Sequence, residues 1–447
     1  MASTYIKRDL SVSETIYKWT WSAWVKRSGS FNTVNTLFKS RQDGNNWVQV
    51  YFGDGGHADE LLVASYKNGG YHYTYSTSKK FRDVNAWYHI VVNVDSSQST
   101  AGDRVRIYVN GERETSFANS TNNLSNGDSL IFNTSDSGTG HTIGSWNAGS
   151  YFDGSMSHVH YSSGYSYAPT VFGSTDSTTG EWKINTAPSF TLGGNGYTVL
   201  KDGNTITDQS SNSNDFTVGG GTLTKTEDCP SNVFATYNNL NSLGSHNALS
   251  NGNTTQKQTS GVGQRQAICN IGNITGKFYA EFKMINLGPQ DGSSPYCGVS
   301  SMDNYVYNTY LGNNGIAMHP GGNVYKSASV IDNQTSITYT TNNIVSVALD
   351  ITNNKCHFRV NGGTWLASGD PANNTGGYDI SSLNTGDALT FATSVYNNNC
   401  QWSANFGNGY FGTTAVSSAG TNASGIGIFE YDVPTGYTAL STKGLNS

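Results

Sequence analysis

Few side chains in this chain stand where they could do covalent chemistry. Glu112 and Glu114 are two residues apart. Retaining glycosidases place two carboxylates about 5 Å apart across the scissile bond, commonly from one strand. Here the pair follows Asn110-Gly111, where a tight turn falls, so it reads as a solvated hairpin tip. The expected catalytic set is therefore empty. His158 and His160 are also two apart and share a strand face, which makes half of a metal site without a third ligand of clear position. A polar strand face accounts for them, as it does for His89 and His357. Asp95, Asp103 and Asp153 are the acids that calcium would use, but no metal or cofactor is expected. No Gly-x-Ser-x-Gly elbow, His-Glu-x-x-His pair or phosphate-cradling glycine loop occurs.

The stronger signal is aromatic. Tyr305, Tyr307 and Tyr310 crowd one loop-like stretch, and Trp365 follows the Asn361-Gly362-Gly363 turn. Flat rings pack against sugar C–H faces while Asn and Asp hydrogen-bond the hydroxyls, and loops carry binding residues. These four residues are the expected carbohydrate- or receptor-binding set. Tyr71, Tyr73 and Tyr75 alternate and are expected on one face of one strand.

The elements that must hold these residues are strands. Residues 17–26 alternate, with Trp19, Trp21, Ala23 and Val25 on one face and Lys18, Thr20, Ser22, Trp24 and Lys26 on the other. Further strands are expected near 35–39, 47–52, 61–66 and 71–77, and a single helical turn near 169–172. Two hairpins repeat one pattern. Residues 91–95 and 104–111 form the first, ending Val109-Asn110-Gly111; residues 345–350 and 356–362 form the second, ending Val360-Asn361-Gly362. Two copies about 250 residues apart predict two tandem antiparallel β-sandwiches.

Only 13% of the 447 residues are charged, against about 25% in an average domain. Gly, Asn, Ser and Thr replace them, which suits an all-β chain rich in turns. The net charge of −6 comes without a basic stripe, so nucleic acid is not an expected partner. No apolar run approaches the length of a membrane span, and the start, Met-Ala-Ser-Thr-Tyr, carries no apolar signal region. Synthesis in a cytoplasm is the expectation. The five cysteines (Cys229, Cys269, Cys297, Cys356 and Cys400) include no Cys-x-x-Cys and are expected as buried free thiols.

Residues 19–27, Leu37-Phe38, residues 86–92, Val109-Asn110-Gly111, residues 141–144 and residues 151–160 resemble the laminin G/concanavalin A-like jelly roll. The stretch Ala168-Pro169-Thr170-Val171-Phe172-Gly173 with Thr178-Thr179-Gly180-Glu181-Trp182 resembles the version found in virion proteins of tailed bacteriophages. Gly276-Lys277, Gly298-Val299-Ser300, the second hairpin and Asn405-Phe406-Gly407 occur in an order that resembles the SPRY domain, a curved β-sandwich that binds partners through loops. The expected organisation is a jelly roll over residues 1–228, a linker over 229–262 and a SPRY-like domain over 263–447. The resemblance implies a non-enzymatic virion protein on the outer surface of the particle, as a tail fibre, tail appendage or capsid decoration. Its implied partners are other virion proteins, a host-surface glycan and copies of itself, with a homotrimer as the commonest solution. The rival readings are a secreted-type lectin or adhesin and a glycan depolymerase.

Overall fold

The computed structural model describes residues 3–10, 14–29, 31–131, 140–201, 205–241, 246–288 and 295–446. The chain divides into two units, Met1–Lys225 and Thr226–Ser447. In both, the described residues form antiparallel sheets joined by turns and single turns of 3-10 helix, one of them at Pro169–Val171.

The first unit begins with β1 (Tyr5–Arg8), β2 (Lys18–Arg27), β3 (Asn35–Asp43), β4 (Asn46–Phe52) and β5 (Glu60–Lys67). It continues through β6 (Gly70–Lys80), β7 (Tyr88–Asp95), β8 (Val105–Val109), β9 (Glu112–Arg113), β10 (Phe117–Asn122) and β11 (His141–Ile143). Then come β12 (Gly154–Ser163), β13 (Gly173–Thr175), β14 (Trp182–Ile184), β15 (Tyr197–Val199) and β16 (Thr217–Gly220). One sheet runs β10-β6-β5-β4-β3-β11-β1-β16, and the facing sheet runs β15-β12-β2-β7-β8-β9. Their inner faces close on Trp19, Trp21, Val25, Phe38, Val50, Phe52, Val63, Ile90, Val92 and Ile107. Alternation alone selects these residues, because successive side chains in a strand point to opposite faces.

The second unit holds β17 (Asn247–Ser250), β18 (Thr255–Gln258), β19 (Gln264–Ile268), β20 (Lys277–Asn286), β21 (Tyr296–Ser301), β22 (Gly315–Met318) and β23 (Asn323–Lys326). It adds β24 (Ser329–Asn333), β25 (Ile344–Asp350), β26 (Lys355–Val360), β27 (Tyr378–Asp379), β28 (Leu389–Tyr396), β29 (Gln401–Asn405), β30 (Tyr410–Phe411), β31 (Thr414–Ala415) and β32 (Thr438–Ala439). One sheet runs β17-β18-β29-β20-β25-β26-β27, with β32 parallel to β20; the other runs β19-β28-β21-β22-β23-β24. Phe278, Phe282, Val347, Phe358, Val299, Ile316, Phe391 and Trp402 fill the space between them.

The repeated hairpins form as expected. β7 pairs with β8, and β25 with β26. Asn110 and Gly111 take φ +50 and +82, and Asn361 and Gly362 take +50 and +68. Each Asn does a second job. Asn110 Oδ1 accepts from His89 N at 2.8 Å, and Asn361 Oδ1 accepts from Ile344 N at 2.8 Å. The side chain thereby caps the first residues of the partner strand, which asparagine can do while also tolerating the left-handed backbone.

Two expectations need correction. Residues 229–262 are not a linker. They supply β17 and β18, and β18 pairs with β29 inside the second unit's larger sheet. Phe234, Ala235, Tyr237, Thr255, Gln256 and Gln258 among them are fully buried. The segment escapes notice because its polar residues hydrogen-bond instead of alternating with apolar ones. Thr393 Oγ1, for example, donates to Gln256 Oε1 at 2.6 Å.

Tyr71, Tyr73 and Tyr75 do not share a face. Tyr73 and Tyr75 enter the core, whereas Tyr71 is 52% exposed. A register shift between Ser65 and Tyr66 places Tyr71 opposite Tyr66 and turns it outward. Trp24, finally, is buried although it lies on the outer face of β2. The segment after β12 returns over that face, and Trp24 stacks on His89 at 4.9 Å.

Candidate functional site

The four expected binding residues are not brought to one place. Tyr305 and Tyr310 pack on the outer face of the β19–β24 sheet, against Ile268, Leu311, Ala317 and Ala392. The Tyr305 hydroxyl donates to Asn241 O at 2.6 Å and to Gln266 O at 3.0 Å, so it ties down the backbone. Tyr307 lies with the Arg265 guanidinium 5.7 Å from its ring centre. Tyr310 meets Tyr296 at 5.2 Å and Tyr325 at 5.9 Å, and burial pushes up the phenols of Tyr296, Tyr305 and Tyr310. Trp365 belongs to the other sheet's outer face, beneath Arg359 at 4.5 Å and beside His357 at 6.2 Å.

A more open set of rings lies in the first unit. On β4, Val48, Val50 and Phe52 point into the core, so Trp47, Gln49 and Tyr51 point out. Register pairs Trp47 with Tyr66 and Tyr66 with Tyr71. The indole of Trp47 stacks on Tyr66 at 5.4 Å, with Tyr71 edge-on at 6.3 Å and Trp146 edge-on at 5.2 Å. Two turns build the platform. Asn68 and Gly69 take φ +52 and +83 between β5 and β6. The Trp146–Gly149 turn is clasped by reciprocal backbone bonds of 2.8 Å, with Asn147 and Ala148 at φ +46 and +54. Non-glycine residues rarely take that conformation, and such strain collects at functional sites.

Polar groups rim the rings. Lys39 Nζ donates to Asn147 Oδ1 at 2.9 Å and lies 5.8 Å from the Trp146 ring centre. Arg41 reaches the same oxygen at 3.3 Å, and Asn46 Oδ1 accepts from Asn68 N at 3.1 Å. Burial pushes the neighbouring Tyr51 phenol up to about 12, which keeps it a neutral hydrogen-bonding group. The sequence carried a signal for this site that went unread: Trp47 and Tyr66 occupy outward positions of neighbouring strands, where polar residues are the rule.

Most of the candidates for chemistry are engaged. Glu114 pairs with Lys79, and Glu112 lies opposite Val109. Asp95 accepts from Ser97 and Gln98 and pairs with Lys18, while Asp103 pairs with Arg113. His158 and His160 meet at 6.3 Å but bond Ser157 and Thr198 separately, because the strand bulges between Ser157 and His160. Among the described residues no cluster of three or more His, Cys, Asp or Glu could hold a metal. Cys269, Cys297, Cys356 and Cys400 are buried free thiols, and Cys229 is half-buried.

A buried acid of the second unit is not flagged by the sequence. Glu281, on the outer face of β20, accepts from Glu430 N at 2.8 Å, Tyr431 N at 2.8 Å, the Tyr279 hydroxyl at 3.0 Å and Asn405 Nδ2 at 3.3 Å. It fastens the C-terminal segment to the sheet. Burial pushes its carboxyl up to about 7, against the pull of these donors.

Comparison with known proteins fits the first unit's architecture. Residues 2–168 match the family described as the concanavalin A-like lectin/glucanases superfamily. No curated protein matches the chain. Among solved structures, the SPRY domain of human HERC1 is similar at 14% identity and TM-score 0.30, over 38% of this chain and 96% of that one. A heptameric SAP-like pentraxin from Limulus polyphemus is similar at 16% identity and TM-score 0.24, over 35% and 69%. Domain 4 of AbnA, a GH43 extracellular arabinanase from Geobacillus stearothermophilus solved with arabinotriose, is similar at 18% and 0.26, over 38% and 71%. At such scores these three likenesses decide nothing about this chain.

Proposed function

We propose that this protein binds carbohydrate without transforming it, on the outer surface of a tailed bacteriophage, where it aids attachment to a host-surface glycan. The observation that carries the binding is the platform of Trp47, Tyr66, Tyr71 and Trp146 with its asparagine rim. Tyr71 is exposed and the other three rings are half-buried, so a sugar's C–H face can cover them while its hydroxyls reach the amides. The match of residues 2–168 to a lectin and glucanase superfamily supports the same reading. The placement on a virion rests on the resemblance of residues 168–182 to phage virion proteins, and a homotrimer is the expected assembly.

A glycan array with the full chain tests the binding. Trp47→Ala should weaken the retained glycans by about thirtyfold, the effect of losing a central aromatic anchor worth roughly 2 kcal/mol. A silent array, or an unchanged signal from the variant, would remove the platform as the site. Release of oligosaccharide from a bound polymer would replace binding by depolymerisation. Cryo-electron microscopy of purified particles of the source virus tests the placement, and their lacking this chain would sink it.

A further inference from the structure

We infer that the first unit has a second saccharide site, for a sugar bearing a carboxylate or a sulfate ester, where Arg106 meets loop 165–167 on the outer face of the β15-β12-β2-β7-β8-β9 sheet. The Trp47 platform lies on the other sheet, so the inference does not rest on it. Strand register builds the place. Val105, Ile107 and Val109 enter the core, so Arg106 and Tyr108 face out. Arg106 stands opposite Asn93, and Asn93 opposite Thr20. Those two side chains pin the loop. Thr20 Oγ1 donates to Tyr165 O at 3.1 Å and accepts from Tyr167 N at 2.9 Å, while Asn93 Nδ2 donates to Tyr167 O at 2.7 Å. The rings of Tyr165 and Tyr167 then stack at 6.2 Å, and Tyr165 is 44% exposed.

Two observations point to an anionic ligand. Arg106 is half-buried, yet no acid among the described residues pairs with it. Its Nη2 donates to two neutral acceptors, Asn93 Oδ1 and Ser166 Oγ, each at 3.0 Å. Its Nη1 bonds nothing in the protein and is open to solvent, whereas its Nε is buried. A partly desolvated cation without a counter-charge is costly, and an anion at Nη1 recovers that cost through a charge-assisted hydrogen bond. The second observation is the surrounding charge. The acids of β7 and of the turn before β8 are already matched, Asp95 by Lys18 at 3.3 Å and Asp103 by Arg113 at 2.8 Å. Arg104 bonds only the carbonyls of Gln98, Ser99 and Leu124. β8 thus brings two cations without acids, Arg104 and Arg106. The tyrosines favour a sugar over a bare anion: the exposed ring of Tyr165, one residue from the Ser166 contact, receives sugar C–H groups while Nη1 holds the acid.

The test uses the full chain carrying Trp47→Ala, so that failure of this site and failure of the platform are read separately. Calorimetric titration is run with methyl glucuronide, glucose 6-sulfate, methyl glucoside and acetate, at low and at high salt. The glucuronide or the sulfate ester is expected to bind saturably, about tenfold or more tighter than the glucoside and acetate, and to weaken as salt rises. Arg106→Gln should weaken that binding about tenfold to a hundredfold, the worth of a hydrogen bond to a charged group. Tyr165→Ala, at the surface, should weaken it about threefold to tenfold. Arg106→Lys keeps the charge while giving up the planar fork, and should retain part of what Arg106→Gln loses. Equal losses in the two Arg106 variants would mean that the residue only positions the loop. That result, no saturable acidic sugar, a glucoside or acetate bound as tightly, or affinities indifferent to Arg106→Gln and Tyr165→Ala would each overturn the inference.

Discussion

Acidification from pH 7.5 to pH 5 should melt the first unit well before the second. His89 lies between Trp24 at 4.9 Å and Trp182 at 5.9 Å. Its Nδ1 accepts from Trp182 Nε1 at 2.9 Å, which leaves Nε2 to donate to Ser22 Oγ at 2.9 Å. Both nitrogens are used by the neutral ring. Burial, with the nearby His158, pushes His89 down to about 3. His160, stacked on Phe172 at 5.5 Å, is held well below the ordinary histidine value by the same burial. The unfolded chain binds both protons near pH 6.5 and the folded one does not, so stability is full above that value and falls as pH drops. At pH 5 each histidine removes about 2 kcal/mol, together about 4 kcal/mol, which is a large share of a typical domain's 5–15 kcal/mol.

The second unit has a counterweight. His357, lowered to about 4 by burial, loses stability on the same path. Glu281, raised to about 7, has the opposite sign: the folded state holds its proton between pH 4.5 and 7 while the unfolded state releases it. Its contribution grows as pH falls through that window, by roughly 2 kcal/mol at pH 5, and offsets His357. Calorimetry of the full chain should show two transitions, one falling by roughly 8–16 °C between pH 7.5 and 5 and the other nearly still. Two transitions that fall together would refute this assignment of the protons.

Glu281→Ala should cost the second unit about 3–5 kcal/mol, because it leaves several buried neutral donors unsatisfied, each at a cost of about 1–3 kcal/mol. The substitution leaves Glu430 N, Tyr431 N, the Tyr279 hydroxyl and the Asn405 amide without their shared acceptor. It also loosens the layer above, in which Phe429, Val433 and Tyr437 pack on Tyr279 and Ala348. Arg359 helps hold that layer, because it donates to Asp432 O at 2.5 Å and to the Tyr279 hydroxyl at 3.1 Å. Glu281→Gln keeps the volume but turns an NH₂ toward one of the two backbone donors, so it too should destabilise, by less. Denaturant unfolding followed at two wavelengths should move the second unit's transition and leave the first unit's in place. An unchanged second transition in Glu281→Ala would show that the C-terminal segment is held by its apolar contacts alone.

The sequence by itself determined the strands that alternate, their inward residues and the two Asn-Gly turns. These depend on local rules: period-two alternation picks Trp19, Trp21, Phe278 and Phe282 for the core, and Asn-Gly sets the hairpin ends at 110–111 and 361–362. Tertiary structure alone decided the rest. A single bulge beside Ser65 turned Tyr71 from the core to the Trp47 platform, and no residue type near it announces that shift. Polar pairing drew residues 247–258 into a sheet that alternation could not reveal. The segment 429–438 came back across β20, burying Glu281 about 150 residues away in sequence and leaving the hydroxyls of Tyr437 and Thr438 without partners. Periodicity records which side of a strand a residue takes. What then covers that side depends on contacts far along the chain, whose free energy appears only once the sheets have met.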